Sequence, residues 1–286
     1  MRCRHSALAL LLLQLLAFAL GSPTPTRGDR HQAERRTPEE APEQNDGKYF
    51  HEQGGGDVLN HYDRRFFKGV VVYRERKQIL HDMITAYAQF FTEKRLQTWI
   101  AHGTLLGWWW NAKILPWDWD IDTQVSDATL KYMGAHLNHT TYVYNSDDKH
   151  TRRRYLLDVN PYSVERVRGN GKNIIDARWI DVSNGLYIDI TGLSDVELER
   201  PGILSCKNNH HYRVDELYPL RLSSYEGVQM LVPYAYESIL ADEYTDKALT
   251  ETHFEGHNWD ADIKEWIQNP EEIQDSEEAK LQAVSD

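Results

Sequence analysis

The sequence is poor in cysteine, with only two in 286 residues. Cys3 lies in an N-terminal apolar segment, so a chain that loses this segment keeps Cys206 alone and forms no internal disulfide. The stability of the domain must therefore come from a hydrophobic core rather than from cross-links. Cys206, His210 and His211 do not follow a standard zinc spacing, which favours a loop thiol over a zinc site.

Long apolar runs are also scarce. The run at residues 7–20 is shorter than the ~20 residues that a membrane-spanning helix usually needs. Arg2 and Arg4 precede it, and Ala19-Leu20-Gly21 follows as a small-x-small cleavage sequence. We therefore expect residues 1–21 to be a signal peptide or signal anchor of the secretory pathway. Membrane contact is expected only through this segment, if it stays uncleaved.

Basic residues are fewer than acidic ones: the sequence has 32 Lys and Arg and 44 Asp and Glu, which gives a net charge of -12. No basic stripe is available to meet phosphates along a strand, which excludes nucleic acid as a partner. Residues 22–56 have almost no aliphatic side chains and predict a disordered stem, and residues 270–286 predict an acidic disordered tail. The remainder, residues 57–269, suits one folded domain.

Hydrophobic periodicity within that domain predicts a mixture of helices and strands, which indicates the α+β class. The predicted helices cover residues 74–91, 105–111, 126–138 and 233–244. The predicted strands lie at 97–101, 141–144, 155–159, 173–180 and 186–190, with a hairpin over 220–232. The sequon at Asn138, after the third helix, predicts an N-glycan on a surface turn.

Three carboxylates, Asp118, Asp120 and Asp122, are separated from one another by single residues. In an extended strand they would share one face, and the intervening apolar residues would share the other. Like charges in a row are tolerated if water covers them or if a divalent cation binds them. Hard oxygen ligands of this kind suit Mg²⁺ or Mn²⁺, and a solvated acidic face is the alternative.

The residues before the acids favour the metal interpretation. A predicted strand ends at Gly103 and Thr104, and a short helix then follows whose first amides could hold a phosphate. Lys113 lies between this helix and the acids. Arg168 and Lys172, in the segment RVRGNGK, are further phosphate-binding candidates, although a solvated basic face explains them equally well.

A fourth carboxylate, Asp189, has apolar residues on both sides in a predicted strand. A charge in such a strand is normally paired or bound to metal. The sequence leaves two interpretations open, a functional ligand and an ion pair with Arg178. Asp181, in the loop-like segment DVSNG, is a weaker candidate because turn capping explains it.

The stretch HGTLLGWWWNAKILPWDWDID resembles the signature of the LicD family, which includes fukutin and fukutin-related protein. The similarity continues through ARWIDVSNGLYIDITGLSD, LVPYAYESILADEY and ALTETHF, and so covers about residues 96–254. The resemblance implies a nucleotidyltransferase-like mixed sheet flanked by helices, in a single catalytic domain. It is strongest to the fungal branch linked to mannosylphosphate transfer.

The resemblance also implies roles for the acids. Asp118, Asp120 and Asp189 would be catalytic and would bind Mg²⁺ or Mn²⁺, with Asp122 as a further ligand. The expected activity transfers a sugar phosphate from a nucleotide sugar, GDP-mannose being suspected, to a glycan on a glycoprotein. The Golgi lumen is the expected location, with secretion as the alternative. Two other functions stay open, a D-x-D glycosyltransferase and a non-catalytic regulator of a mannosylphosphate transferase.

Overall fold

The structure, a computed structural model, describes residues 46–146, 151–195, 200–270 and 272. The predicted signal segment, most of the predicted stem and nearly all of the acidic tail lie outside the described residues. No helix in the described ranges is both long and apolar enough to cross a membrane.

Helices and strands follow one another along the described chain in an α+β order. The helices are α1 Tyr73–Lys94, α2 His102–Asn111, α3 Asp127–His136, α4 Val214–Leu217 and α5 Tyr236–Ala248. The strands are β1 Trp99–Ile100, β2 Ile121–Ser126, β3 Thr140–Asn145, β4 Arg152–Val159, β5 Ala177–Asp181, β6 Tyr187–Leu193, β7 Ile203–Ser205, β8 His211–Arg213, β9 Arg221–Tyr225, β10 Val228–Val232, β11 His253–Phe254, β12 His257–Asp260 and β13 Glu265–Gln268.

Eight of the strands in the described ranges form one mixed sheet, in the order β3-β4-β5-β6-β2-β1-β10-β9. The pairs β2–β6 and β1–β10 are parallel, and the other neighbours are antiparallel. Strands β11 to β13 form a separate three-stranded sheet, and β7 and β8 form a two-stranded one. The α+β class and the mixed sheet flanked by helices are thereby confirmed.

Helix α1 packs its apolar face against the large sheet, as its periodicity predicts. Leu80, Met83, Ile84 and Tyr87 are fully buried on this face. The Tyr87 hydroxyl also bonds to Thr123 Oγ1 of β2 at 2.9 Å. This hydrogen bond therefore joins α1 directly to β2, the strand that carries Asp122.

The central strands β2 and β6 bring two distant acids together. Their parallel register sets Asp122 opposite Asp189, and the antiparallel register of β5 and β6 sets Arg178 opposite Asp189 from the other side. Ile121 and Ile188 lie in the core with no exposed surface. Since these strands are central, the backbone positions of the acids are fixed by hydrogen bonds on both sides.

The segment that carries the first two acids folds differently from the prediction. Strand β2 begins at Ile121, so Asp118 and Asp120 lie in the loop before it and do not share a strand face with Asp122. Pro116 in this loop has no N–H for a ladder, and the Asp118 amide instead donates to the Leu115 carbonyl at 3.0 Å. The acids come together because the loop before β2 turns, and not because alternate side chains of one strand lie on the same face.

The predicted turn at Gly103 and Thr104 is also wrong, because α2 begins at His102 and includes both residues in its first turn. His102 takes a left-handed conformation, with φ of 52°. The chain thus changes direction at His102, one residue before Gly103 and shortly after the end of β1.

The folded region extends further toward the N-terminus than the predicted stem boundary at Gly56. Phe50 is buried, at 3% exposure. The Tyr49 hydroxyl donates to Asp158 Oδ1 at 2.8 Å, and Glu52 pairs with Arg178. Residues 46–56 therefore pack on the domain, and two aromatic residues in an otherwise polar segment were the signal for it.

The three-stranded sheet was not predicted, and one histidine prediction fails with it. His253 and His257 are expected on the surface by their sequence context, and His253 is exposed. His257 is buried on β12, at 3% exposure, with its ring 5.5 Å from that of Trp117. Aromatic residues from β12 and β13 cover this part of the molecule.

Gly107 of α2 lies against the loop that leads to the acids. A Cβ there would lie 2.5 Å from the Lys113 carbonyl oxygen. Backbone atoms cannot give way as a side-chain end does, so Gly107→Ala is expected to lower the free energy of unfolding by about 1–3 kcal/mol. Gly134→Ala in α3 is the control, since its Cβ would meet Val159 Cγ1 at an ordinary 3.7 Å. Equal losses in thermal denaturation would contradict the close approach.

Asn138 is exposed just after α3, and its Oδ1 accepts a hydrogen bond from the Val159 amide at 2.9 Å. That bond does not use Nδ2, the atom to which a glycan attaches. Expression in a secreting eukaryotic host should give a chain whose mass falls on glycosidase treatment. Thr140→Ala removes the sequon but keeps the Asn138 bond, so this variant should lose the glycan without losing stability. A wild-type chain with no glycosidase-sensitive mass would contradict the predicted secretory route.

Candidate active site

Four carboxylates form the acid cluster: Asp118, Asp120, Asp122 and Asp189. Asp122 and Asp189 lie side by side on β2 and β6, and the loop before β2 carries the other two. The convergence of β2 and β6, 66 residues apart along the chain, makes one site from two sequence segments.

The acid cluster is electrostatically unfavourable on its own. Burial, together with the Asp120 carboxylate, raises the pKa of Asp118 to about 8. The same two causes raise the pKa of Asp122 well above its usual value. Burial raises the pKa of Asp189 to about 6 against the opposing charge of Arg178, and Asp120 adds to the rise. The Asp120 charge thus disfavours ionisation of its three neighbours.

This donor set fits a hard divalent cation. Ionised carboxylates offer only oxygen atoms, which are the ligands that Mg²⁺ and Mn²⁺ prefer. A cation bound among them would remove the repulsion that raises their pKa values. The arrangement is therefore suited chemically to binding metal and, through it, the charged oxygens of a phosphate group.

Arg76 of α1 holds the loop that carries the first acids. Its guanidinium donates to the Pro116 carbonyl at 2.9 Å and stacks on the Trp119 ring, 3.7 Å from the ring centre. Its positive charge also opposes the rise in the pKa of Asp118. Arg76 was not predicted as a site residue, because the apolar spacing of its helix indicates only packing against the core.

Thr104 and Gly103 contact the acid-bearing segments. The Thr104 hydroxyl is buried and accepts a hydrogen bond from the Asp122 amide at 2.8 Å. Thr104 thus orients the acid strand, a different contact from the phosphate contact that its position suggested. Gly103 lies beside the loop acids, since a Cβ on it would be 3.8 Å from Asp118 Oδ2.

The ion pair of Asp189 with Arg178, one of the two sequence interpretations, is present in the structure. Arg178 Nε donates to Asp189 Oδ1 at 2.7 Å, and a second guanidinium nitrogen donates to Glu52 at 2.7 Å. The rings of Tyr187 and Phe50 lie over the guanidinium at 3.8 and 4.8 Å. Within the described residues Asp189 Oδ2 accepts no hydrogen bond, so the ion pair uses only one of the two carboxylate oxygens.

The predicted phosphate-binding cations lie in two different places. Lys113 lines a small cavity of about 60 Å³ together with Arg76 and Asp118, and it forms an ion pair with Glu265. Arg168 and Lys172 lie apart from the acid cluster, where Arg168 bonds to Asn208. Of the three, the structure brings only Lys113 next to the acids.

A histidine and glutamate network supports the start of α2. His102 Nδ1 bonds to Glu243 Oε2 at 2.9 Å, the Tyr212 hydroxyl donates to Glu243 Oε1 at 2.6 Å, and the His210 ring lies 4.3 Å from the His102 ring. The hydrogen bond to Glu243 and its charge raise the pKa of His102, although burial opposes this. The nearest ligand atoms of His102, His210 and Glu243 lie within 4.8 Å of one another, but ion pairing and ring stacking account for their approach.

Two secondary candidates have structural roles. Asp181 is buried and accepts hydrogen bonds from the Ser183 amide and the Asn184 side chain, which is the predicted turn capping. Cys206 is a free, buried thiol with its Sγ 3.4 Å from His210 Nδ1.

A family model described as LicD/FKTN/FKRP, nucleotidyltransferase domain, matches residues 95–235. This region of the chain is a LicD-family domain. The match contains all four residues of the acid cluster, together with Gly103, Thr104 and Lys113. It ends before Glu243 and before the three-stranded sheet, so those parts of the site lie outside the LicD match.

Two yeast proteins are similar to about half of this chain. Mannosyltransferase regulator 4 of Saccharomyces cerevisiae is 36% identical over 154 residues, which are 51% of this chain and 13% of that protein. Mannosyltransferase regulator 14 of the same yeast is 37% identical over 157 residues, which are 51% of this chain and 16% of that protein. The aligned part of the chain thus covers less than a fifth of either relative.

Proposed function

We propose that this chain is a metal-dependent phosphotransferase that moves a sugar phosphate from a nucleotide sugar to a glycan. The observation that carries the proposal is the pairing of Asp122 with Asp189 across two parallel strands, beside Asp118 and Asp120. Burial and the neighbouring Asp120 charge raise the pKa values of Asp118, Asp122 and Asp189, so the site favours a counter-charge, and a diphosphate held through a cation is a substrate that uses one.

The four carboxylates would hold one or two Mg²⁺ or Mn²⁺ ions. When bound, such ions neutralise the diphosphate of the donor and the charge that develops on the leaving nucleoside phosphate. The raised pKa values of Asp118, Asp122 and Asp189, caused by burial and by the Asp120 charge, support this assignment, because a bound cation would favour their ionised forms.

Residues around the cluster have roles in orientation. The first amides of α2, including that of Gly103, lie beside the acids and suit phosphate oxygens. Lys113 lines a small cavity together with Asp118 and could turn from Glu265 toward a phosphate bound there. Arg178 holds Asp189 by one oxygen, and Asp189 is our candidate to accept the proton of the attacking sugar hydroxyl.

The comparisons support a role in glycan modification. Both yeast relatives are named for mannosyltransferase regulation, which suggests a role in glycan modification. We propose mannose-1-phosphate as the transferred group, with GDP-mannose as the donor and a glycoprotein glycan as the acceptor. Such glycans are built in the secretory pathway, which agrees with the predicted signal segment, and we propose the Golgi lumen as the site of action.

The names of the relatives also favour a second function, regulation of a separate transferase without turnover. The test is to incubate the purified chain alone with Mn²⁺ or Mg²⁺, a panel of nucleotide sugars and a mannan oligosaccharide. We expect metal-dependent consumption of one nucleotide sugar, lost on chelation and in Asp120→Asn. A chain that is inactive alone but raises the rate of an added mannosyltransferase, with or without Asp120, would support regulation instead.

A further inference from the structure

A cavity of about 460 Å³ opens beside the acid cluster, between α2, α5 and the three-stranded sheet. Asp118 and Gly103 line its inner side, and Trp110, Trp117 and Phe254 form aromatic walls. We call it the aromatic cavity. Its volume lies within the range of about 300–1,000 Å³ that is usual for ligand sites. A carboxylate of the acid cluster therefore faces the same space as several aromatic side chains.

The aromatic side chains of the cavity walls pack against one another, and part of their surface stays exposed and can contact a ligand. The Trp117 ring lies 5.2 Å from that of Phe254 and 5.0 Å from that of Trp266. Phe254 nevertheless keeps 49% of its surface exposed. Aromatic faces carry partial negative charge and attract the slightly positive C–H groups of a flat apolar surface. The C–H face of a pyranose ring has this character.

Trp266 combines an aromatic ring that lines the cavity with a buried polar group. It is buried, at 8% exposure, and it lines the aromatic cavity. Its indole Nε1 has no hydrogen-bond partner among the described residues. A buried N–H that stays unpaired costs about 1–3 kcal/mol, so an acceptor such as a sugar hydroxyl would stabilise it.

Helix α5 is interrupted where it borders the cavity. Thr245 takes a non-helical conformation, with φ of 67° and ψ of 161°. Next to it Lys247 forms an exposed ion pair with Glu251 at 2.8 Å, and both residues line the cavity. The rim is therefore polar while the walls are aromatic, which suits a ring with one apolar face and a hydroxylated edge.

We propose that the aromatic cavity binds a pyranose ring of the substrate, next to the phosphoryl group held at the acid cluster. The proposal rests on the proposed function. A ring that touches Asp118 must be bonded closely to the reacting phosphate, as the hexose of the donor and the attacking sugar of the acceptor are. A nucleobase is separated from its phosphate by a ribose. Much of the wall lies after residue 235, so this subsite belongs largely to the part of the chain beyond the family match.

Direct sugar binding tests the proposal without any turnover. Methyl α-D-mannopyranoside and an α-mannose oligosaccharide are titrated into the full metal-free chain, with tryptophan fluorescence as the readout. A saturable change is expected in the wild type, and Phe254→Ala is expected to weaken it at least about tenfold through loss of a stacking face. Tyr132→Ala, which removes a similarly exposed aromatic ring from α3, should leave binding unchanged.

A second variant separates stacking from hydrogen bonding. Trp266→Phe keeps an aromatic ring and removes the unpartnered N–H, so sugar affinity should fall at least about fivefold if a hydroxyl bonds there. Because no metal or donor is present, these results are independent of whether the chain transfers phosphate.

The source of the ring is found by competition with a nucleotide sugar. Displacement of the free sugar assigns the cavity to the donor's hexose, and simultaneous binding assigns it to the acceptor; both outcomes support the subsite. Three results would overturn it: no saturable binding to the wild type, equal affinity in Phe254→Ala, or displacement of the sugar by a nucleoside monophosphate that carries no hexose.

Discussion

Replacing Asp189 by alanine is expected to reduce sugar-phosphate transfer by at least about 100-fold while the other three acids remain. A cation held by fewer carboxylates would be displaced, and small displacements are costly in this chemistry. The same change leaves Arg178, which is 2% exposed, with Glu52 as its remaining carboxylate partner. Loss of one partner of a buried ion pair costs up to about 3–5 kcal/mol, and the remaining Glu52 contact should reduce this cost.

Glu52→Ala is the matched control for this experiment. It removes the other carboxylate from Arg178 without touching the acid cluster. If the effect of Asp189→Ala on turnover came only from an unpaired arginine, both variants would lose stability and activity alike. We expect Glu52→Ala to lower the melting temperature but to retain transfer in the fraction that is folded. A well-folded Asp189→Ala variant with undiminished transfer would refute the catalytic assignment.

Replacing Asp120 by asparagine should abolish Mg²⁺ or Mn²⁺ binding and turnover together. The substitution preserves the shape of the side chain but removes the charge that raises the pKa values of Asp118, Asp122 and Asp189. Without metal the variant should therefore melt at a higher temperature than the wild type. Each kcal/mol of relieved repulsion corresponds to about 2–4 °C for a domain of this size. Calorimetric titration with Mn²⁺ measures the binding, and equal affinity in both proteins would contradict a metal site at the acid cluster.

Burial of Asp118, together with the same repulsion, predicts how the stability of the metal-free protein responds to pH. Asp118 has a pKa of about 8 in the folded chain against an ordinary value of 3.8. Between these values the folded state binds more protons than the unfolded state, so its stability falls as pH rises from about 4 to about 8. Chemical denaturation in the presence of a chelator should show this fall, and it should be smaller in Asp120→Asn. A wild type whose stability rises across this range would contradict the repulsion.

Local patterns were sufficient for much of the fold. The apolar spacing of α1 predicts its buried face, and Glu226-Gly227 predicts the turn between β9 and β10. Ser126 caps α3 through its bond to the Thr129 amide at 3.2 Å, as its position indicates. These features depend on neighbours within a few residues, which is the range that a single sequence describes well.

Contacts between distant segments were harder to predict. Nothing local indicates that β2 pairs with β6 in a register that sets Asp122 opposite Asp189, although a charged residue in an apolar strand did mark Asp189. Arg178 appeared as an alternative to metal binding, whereas it binds one oxygen of Asp189 and leaves the other. Part of the wall of the aromatic cavity comes from strands β11 and β13, which are too short to show a clear hydrophobic period, so the cavity was not predicted.

The identity of the nucleotide product tests the central claim most directly. The purified chain is given Mn²⁺, GDP-mannose and a mannan oligosaccharide, and the products are separated by chromatography. Attack on phosphorus at the acid cluster predicts GMP and a phosphodiester-linked mannose in equal amounts, both absent in Asp120→Asn. Release of GDP with a new glycosidic bond would contradict the account, because it would show attack on the anomeric carbon.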